Sequence, residues 1–293
     1  MKKWMFAAVI TMSLAWLAAC GNGTNEPTST EPKQEPNQSE QSQEAVTPDA
    51  SEAENAADSV HEPAQSAESE VEDSGVTMQY YINEIFDVKP VSEEINEKVV
   101  LLTFDDGPKD EQMVGQMLDI LDRHDAKAIF FVNGYRVEQN PELLELIYSR
   151  GHEVGNHSWD HIVLSKESSE VIDQQIDDVQ TLVKDIIGKA PRFFRAPNGS
   201  RNDHVTKKVQ EEQMIYMNWS NGSLDWDASS QTPEAVIQNV MDQLRPGSNI
   251  LMHELPWTVE ALDPLLTRLE EEGYGFVDPS TIQAMPENET KSK

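Results

Sequence analysis

From residue 98 to residue 278, short apolar runs alternate with amphipathic stripes of helical period, and that alternation limits the possible folds more than any other feature. The runs fall at 98–104, 126–132, 152–156, 192–196, 214–219, 249–253 and 274–278. Between them Val171, Ile172, Ile176, Val179, Leu182, Val183 and Ile186 recur at i, i+3 or i+4 until Gly188, the signature of one buried helical face. Val259, Leu262, Leu265, Leu266 and Leu269 repeat the stripe until Gly273. Thr232-Pro233-Glu234 reads as the N-cap, first-turn proline and acidic first turn of a helix over 233–244. Seven strand–helix units predict an α/β fold with a mostly parallel sheet and helices outside it, as an open doubly wound sheet or a closed barrel. In either, functional side chains gather at the carboxyl ends of the strands. Residues 76–95, with Tyr80-Tyr81-Ile82 and Ile85-Phe86, are apolar enough to add a strand or cover the barrel bottom.

The material before residue 76 differs in kind. Lys2 and Lys3 precede an almost wholly apolar run from Met5 to Leu17, then Ala18 and Ala19, the layout of an export signal over residues 1–20. Leu17-Ala18-Ala19-Cys20-Gly21 resembles the lipobox of bacterial lipoproteins. That resemblance implies a diacylated Cys20 and an extracytoplasmic protein anchored to the bacterial cell membrane by its lipid. Cys20 is the only cysteine, so no intrachain disulfide can form and the core must hold the fold. Residues 21–75 carry fourteen acidic side chains against one lysine and no Leu, Ile, Met, Phe, Tyr or Trp. Such a stretch cannot offset its ordering entropy, and it is expected to be a disordered, extended acidic linker. The formal net charge of −31 argues against nucleic-acid partners. Residues 96–285 are then the catalytic domain and 286–293 a flexible tail.

Titratable residues fall at the same end of five units. The first run leads into Thr103-Phe104-Asp105-Asp106-Gly107-Pro108. Neighbours on a strand point to opposite sides, but at a frayed strand end both carboxylates could face one cleft, one binding a metal and the other moving a proton. The third run leads into Asn156-His157-Ser158-Trp159-Asp160-His161 and the fourth into Arg195-Ala196-Pro197-Asn198-Gly199. The fifth runs to Trp219 and then Asp225-Trp226, and the sixth ends in Leu251-Met252-His253. The i, i+4 spacing of His157 and His161 would place both imidazoles on one face of a helical turn, which suits zinc. The segment lacks the glutamate of H-E-x-x-H, so a zincin protease would have no general base here.

T-F-D-D-G-P, H-S-W-D-H, R-A-P-N-G, D-W and L-M-H together resemble, in order and spacing, the five motifs of the polysaccharide deacetylases, carbohydrate esterase family 4, with the NodB-homology domain. The resemblance covers roughly residues 96–280 and implies a distorted seven-stranded β/α barrel. It implies that Asp106, His157 and His161 bind a divalent metal, usually zinc, and that Asp105 is the general base, held by Arg195. It further implies that the Asn198 N–H stabilises the oxyanion and that His253 is the general acid, oriented by Asp225. Trp226 and Leu251 would shape the acetyl pocket. The substrate would be an acetylated glycan, peptidoglycan or a chitin-like oligomer, deacetylated at nitrogen. O-deacetylation, and glycan binding without turnover, are the alternatives. A glycosidase using paired carboxylates would leave the two histidines and Arg195 without a role.

The chain departs from the family pattern twice. Asn198 stands where the family commonly has Tyr, and Gly222 where it commonly has the first Asp of D-x-x-D-W. Trp219 to Trp226 instead resembles the form found in muramic-acid deacetylases of peptidoglycan. Among other residues, His61 lies in the linker, His124 is expected near a helix C-terminus, and His152 and His204 are expected to be structural or exposed. Trp159 and Trp257 fit core packing at least as well as sugar stacking.

Overall fold

The computed structural model describes residues 75–286. The expected signal segment, Cys20, His61, the linker up to residue 74 and the tail from residue 287 lie outside the described residues.

The elements run β1 (Tyr80–Ile82), β2 (Val88–Pro90), β3 (Val99–Gly107), α1 (Glu111–Arg123), β4 (Ala128–Val132), α2 (Gly134–Gln139), α3 (Pro141–Ser149), β5 (Glu153–Asn156) and α4 (Ser169–Ile187). They continue with β6 (Phe193–Phe194), α5 (Asp203–Glu211), β7 (Ile215–Tyr216), β8 (Asn221–Gly222), α6 (Pro233–Asp242), β9 (Ser248–His253), α7 (Pro256–Glu271), β10 (Gly275–Phe276) and β11 (Ile282–Gln283). Each apolar run contains one strand. The two-residue β8 escaped sequence reading because Asn221-Gly222 has no apolar pattern to announce it.

Seven strands form one parallel sheet in the order β7-β6-β5-β4-β3-β9-β8, curled into a half-barrel, with β10 pairing beside the start of β3. Among the described residues no ladder joins β7 to β8, so the barrel stays open there. Side chains bridge the opening: Arg195 Nη2 and Asn249 Nδ2 each donate to the Asn218 carbonyl at 2.9 Å.

The strand pleat sorts the core into two clusters. On β3, Val100, Leu102 and Phe104 pack against α1 and α7 through Met117, Leu118, Leu262 and Leu265. Val99 and Leu101 turn to the other face, against Ile129, Phe131 and Phe193. Thr103 and Asp105 continue that inner row, so a buried carboxylate stands at the end of an apolar stack. Burying each large aliphatic side chain contributes about 1.5–3 kcal/mol, which supplies the stability that disulfides cannot. Helix ends carry the expected stops. Thr232 caps α6 by accepting from Ala235 N–H, and Gly188 ends α4 at φ 77°.

The 76–95 segment contributes β1 and β2, an antiparallel pair joined to β11 in a separate three-stranded sheet. Tyr80, Ile82 and Val88 pack on Val99, Leu101 and Val277. The contact requires glycine at 247: its φ is 85°, and a Cβ there would lie 2.2 Å from the Val88 carbonyl oxygen.

Candidate active site

The two carboxylates reach one cleft by a bulge. The sequence suggested a frayed strand end, but β3 stays paired with β4 through Gly107, and its register shifts between Asp105 and Gly107. The intervening Asp106 adopts φ 65°. A bulge re-aims one side chain without ending the strand, so Asp105 stays on the inner row while Asp106 swings beside it. Both then approach His157 Nε2, Asp105 Oδ2 at 3.6 Å and Asp106 Oδ1 at 3.4 Å.

His157 and His161 also converge differently from expectation. Their spacing suggested a helical turn, but residues 157–161 form an irregular loop. Ser158 and His161 take φ 64° and 56°, and these two left-handed residues fold the loop back so that the rings lie 5.1 Å apart. Side chains lock it: Asn133 Nδ2 donates to His157 O, and Ser158 N–H donates to Asn156 Oδ1. Gln175 both accepts from Asp160 N–H and donates to its carboxylate.

Hydrogen bonding fixes the His157 tautomer. Its Nδ1 lies 2.7 Å from the Arg195 carbonyl, which can only accept, so Nδ1 carries a proton and Nε2 is the ring nitrogen turned toward Asp106. Burial pushes the His161 imidazole below its ordinary range, against the pull of Asp106, and favours the neutral ring. Burial alone would raise Asp106. The contact with His157 and the charges of His157, His161 and His253 outweigh it and hold this carboxyl well below the usual range. His161 Nε2 stands 3.2 Å from Asp106 Oδ1, and that oxygen is buried without a hydrogen bond. One ligand atom from each of Asp106, His157 and His161 lies within 4.8 Å of the others. Two imidazoles and a carboxylate with an orphaned oxygen are a donor set fitted to a divalent cation, with positions left for water or substrate.

On one side of this set stands Asp105, held by Arg195. The guanidinium is fully buried; Nη1 donates to Asp105 Oδ1 at 2.6 Å and to Thr103 Oγ1 at 2.9 Å. Its plane lies 4.3 Å from the centroid of the Phe131 ring. That ring needs glycine at 155, where a Cβ would come within 2.4 Å of it.

On the other side is His253. Its Nδ1 donates to Asp225 Oδ1 at 2.7 Å, turning Nε2 to the cleft, 4.0 Å from Asp106 Oδ2. Burial would lower its pKa, but the hydrogen bond and charge of Asp225, with Asp105 and Asp106 behind, raise it above the ordinary imidazole range. Asp225 is itself fully buried and accepts from His253 N–H and Thr258 Oγ1, both at 2.7 Å.

A cavity of about 380 Å³ unites these groups; Ala196, Asn198, Trp219, Trp226 and Leu251 complete its walls. A larger cavity, about 960 Å³ between residues 82–86 and α5, holds none of them. Asn198 adopts φ 56° in the turn Pro197–Gly199, a left-handed conformation Asn tolerates well. Among the described residues, nothing accepts from its backbone N–H. Gly222 lies under the indoles of Trp219 and Trp226, which a Cβ would meet at 3.6–3.8 Å.

The other histidines and tryptophans fall mostly outside the cleft. His124 caps α1 and contacts Glu270 and Asp263. His152 is buried, accepts from Ala128 N–H, and is pushed down to about 4, chiefly by burial. His204 pairs with Asp173 at 2.7 Å. Trp159 packs over Gly134. Trp257 donates to the Asp225 carbonyl and borders the cleft. Sequence reading missed Thr103, Asn249 and Thr258, which hold Arg195 and Asp225; nothing in their local sequence marks them.

The family model for polysaccharide deacetylase matches residues 92–217. A peptidoglycan-N-acetylglucosamine deacetylase of Bacillus cereus is 35% identical over 193 residues, covering 64% of this chain and 89% of that protein. A peptidoglycan-N-acetylmuramic acid deacetylase of Bacillus subtilis is 34% identical over 64% of this chain, which spans only 39% of that longer protein. The structure of that second deacetylase superposes with a TM-score of 0.58 over 62% of this chain and 88% of the solved chain, at 35% identity. A pseudoenzyme of carbohydrate esterase family 4 from Bacillus anthracis superposes with a TM-score of 0.60 at 32% identity, covering 65% of this chain and 68% of that one.

Proposed function

The chain belongs to the polysaccharide deacetylase family and is a hydrolase acting on amide bonds, and from that premise we propose that it removes N-acetyl groups from cell-wall glycan with the help of a bound divalent metal. One observation carries the reading. The Asp106–His157–His161 set lies between a carboxylate clamped by arginine and an imidazole clamped by aspartate, all in one cleft.

Asp106, His157 and His161 would hold the metal, by our reading zinc. When bound, it would withdraw electron density from the acetyl carbonyl and acidify a neighbouring water. Asp105 takes the proton from the attacking water. Its Oδ1 is committed to Arg195, so Oδ2 on the cleft side is the basic atom. The Asn198 N–H, without an acceptor among the described residues, donates to the developing oxyanion; one such donor is worth about 3–4 kcal/mol in other hydrolases. His253, kept protonated by Asp225, delivers a proton from Nε2 to the departing amine. The C–O bond to water forms first, giving a tetrahedral oxyanion; as the carbonyl re-forms, the C–N bond breaks and acetate and a free amino sugar leave. Leu251, Trp219 and Trp226 offer the acetyl methyl an apolar wall.

For the regions before residue 75, we propose an export signal over 1–20 and a lipid-bearing Cys20 that tethers the domain outside the cytoplasmic membrane through the acidic linker. Palmitate labelling that persists in Cys20→Ser would overturn the anchor.

The test of substrate is mass spectrometry of peptidoglycan fragments after incubation with the zinc-loaded protein. Loss of acetyl from glucosamine or muramic acid residues is expected. Release of acetate from O-acetyl groups alone would overturn amide hydrolysis on the wall.

A further inference from the structure

A second cavity of about 240 Å³ adjoins the cleft, lined by Lys109, Gln231, Leu255 and Trp257 together with Asp106, Trp226 and His253. The last three line both spaces, so the two are lobes of one groove with His253 at the divide. In the proposed reaction His253 faces the nitrogen on sugar carbon 2. Oxygen 3 sits on the adjacent carbon, which puts a group it carries within reach of the second lobe.

Lys109 gives that lobe its chemistry. Glu254, buried at 3% exposure, fixes its backbone by accepting from Lys109 N–H and Asp110 N–H at 2.7–3.0 Å. The side chain is only partly exposed, yet among the described residues Nζ makes no hydrogen bond or ion pair. Lys127, Lys189, Lys207 and Lys208 each meet a carboxylate; of the described lysines that do not, Lys98, Lys166 and Lys184 are exposed, and only Lys89 shares the partial burial of Lys109. The acids nearest Lys109 have other commitments. Asp225 holds His253, Glu254 holds backbone N–H groups, and Asp106 belongs to the metal set. Arg136 adds a second positive charge near Lys109. Trp226, 44% exposed, and Trp257, its ring fixed through Nε1, supply indole faces for a sugar ring. A half-buried ammonium lacking an internal partner, lining one cavity with two indoles, is suited to receive an anion from outside.

We propose that Lys109, with Trp226 and Trp257, forms a subsite for a carboxylate carried at oxygen 3 of the sugar being deacetylated, as on the lactyl ether of N-acetylmuramic acid. The proposal rests on the deacetylase reading above and narrows its substrate. The carboxylate has two possible sources: the lactyl group itself where the stem peptide is absent, or the stem peptide's own acids where it is present.

The experiment compares wild type, Lys109→Met and Lys109→Arg, all zinc-loaded. The substrates are N-acetylglucosamine oligomers, glycan strands stripped of stem peptides, the same strands with the lactyl carboxylate converted to a neutral methylamide, and stem-bearing strands. Lys109→Met is expected to lower the ratio of kcat/KM for stripped strands over N-acetylglucosamine oligomers about tenfold, mainly through KM, with Lys109→Arg restoring most of it. The methylamide should abolish the difference between wild type and Lys109→Met. A loss seen on stem-bearing strands and not on stripped ones assigns the carboxylate to the stem. No loss on either stripped or stem-bearing strands, or an equal loss on the neutral strands, overturns the subsite. Calorimetric binding of the same strands to Asp105→Asn proteins with and without Lys109→Met is a second readout. If no protein releases acetate the deacetylase reading fails, while a Lys109-dependent preference for the carboxylate would still support the subsite.

Discussion

Arg195 Nη1 lies 2.6 Å from Asp105 Oδ1, and the two side chains are 0% and 4% exposed. Asp105 is therefore held at the end of a largely apolar inner row by one charge that water scarcely reaches. Removing the guanidinium leaves the carboxylate buried without its counter-charge, whereas Arg195 keeps Thr103, the Asn218 carbonyl and Asn249 as acceptors if residue 105 becomes an amide.

Arg195→Met is expected to destabilise the folded chain by about 3–5 kcal/mol, read as a fall in the urea unfolding midpoint. Asp105→Asn keeps the shape and the contact with Arg195 but cannot accept a proton. It should cost less stability, bind metal normally and lose about 10²–10⁴ in kcat. Equal stability losses in the two variants would contradict the pairing described.

The pH dependence of turnover should respond to Asp225. His253 must be protonated to serve the leaving amine, and its pKa stands above the ordinary imidazole value because Asp225 overcomes burial. Activity is then lost as pH rises through that raised value. Asp225→Asn removes the opposing charge, lets burial dominate, and should move the alkaline limb of the kcat profile to lower pH. Thr258→Val, which takes one donor from Asp225 Oδ2, should change kcat more than KM. An alkaline limb that stays in place in Asp225→Asn would contradict the acid role.

Metal content should track the three proposed ligands. Dialysed wild-type protein is expected to retain one equivalent of zinc. His161→Ala should bind it far more weakly with an unaltered far-ultraviolet circular dichroism spectrum, since His161 sits in a loop and is partly exposed. Full retention of zinc by His161→Ala would remove that residue from the set.

Gly155→Ala tests the packing beneath the site. Its Cβ would meet the Phe131 ring at 2.4 Å, and that ring supports Arg195. Overpacking of this kind costs about 1–3 kcal/mol, which for a domain of this size is a fall in Tm of roughly 2–4 °C per kcal/mol. An unchanged Tm would show that Phe131 can move aside.

Much of this arrangement was legible in the sequence because strand ends announce themselves. An apolar run that stops at Asp105-Asp106, His157 or His253 marks both the strand and the group it presents. The way those groups converge was not legible. The bulge at Asp106 and the left-handed residues Ser158 and His161 depend on pairing between distant strands, and local periodicity carries no trace of them. Thr103, Asn249 and Thr258 stayed hidden for a related reason. A lone Thr or Asn inside an apolar run is ordinary, and its importance comes from a buried charge contributed by another strand. Nothing in the local sequence marks Lys109 after its Gly-Pro turn; only the fold brings it into one cavity lining with Trp226 and Trp257.

The central claim is that a metal held by Asp106, His157 and His161, with Asp105 as base, hydrolyses N-acetyl groups of a glycan. Its most direct test is acetate release from peptidoglycan and N-acetylglucosamine oligomers by one preparation measured as purified, after chelation, and after zinc is restored. The account predicts release that chelation abolishes, that zinc restores, and that Asp105→Asn lacks even when fully metallated. Release that survives chelation, or none from any acetylated glycan with zinc bound, would contradict it.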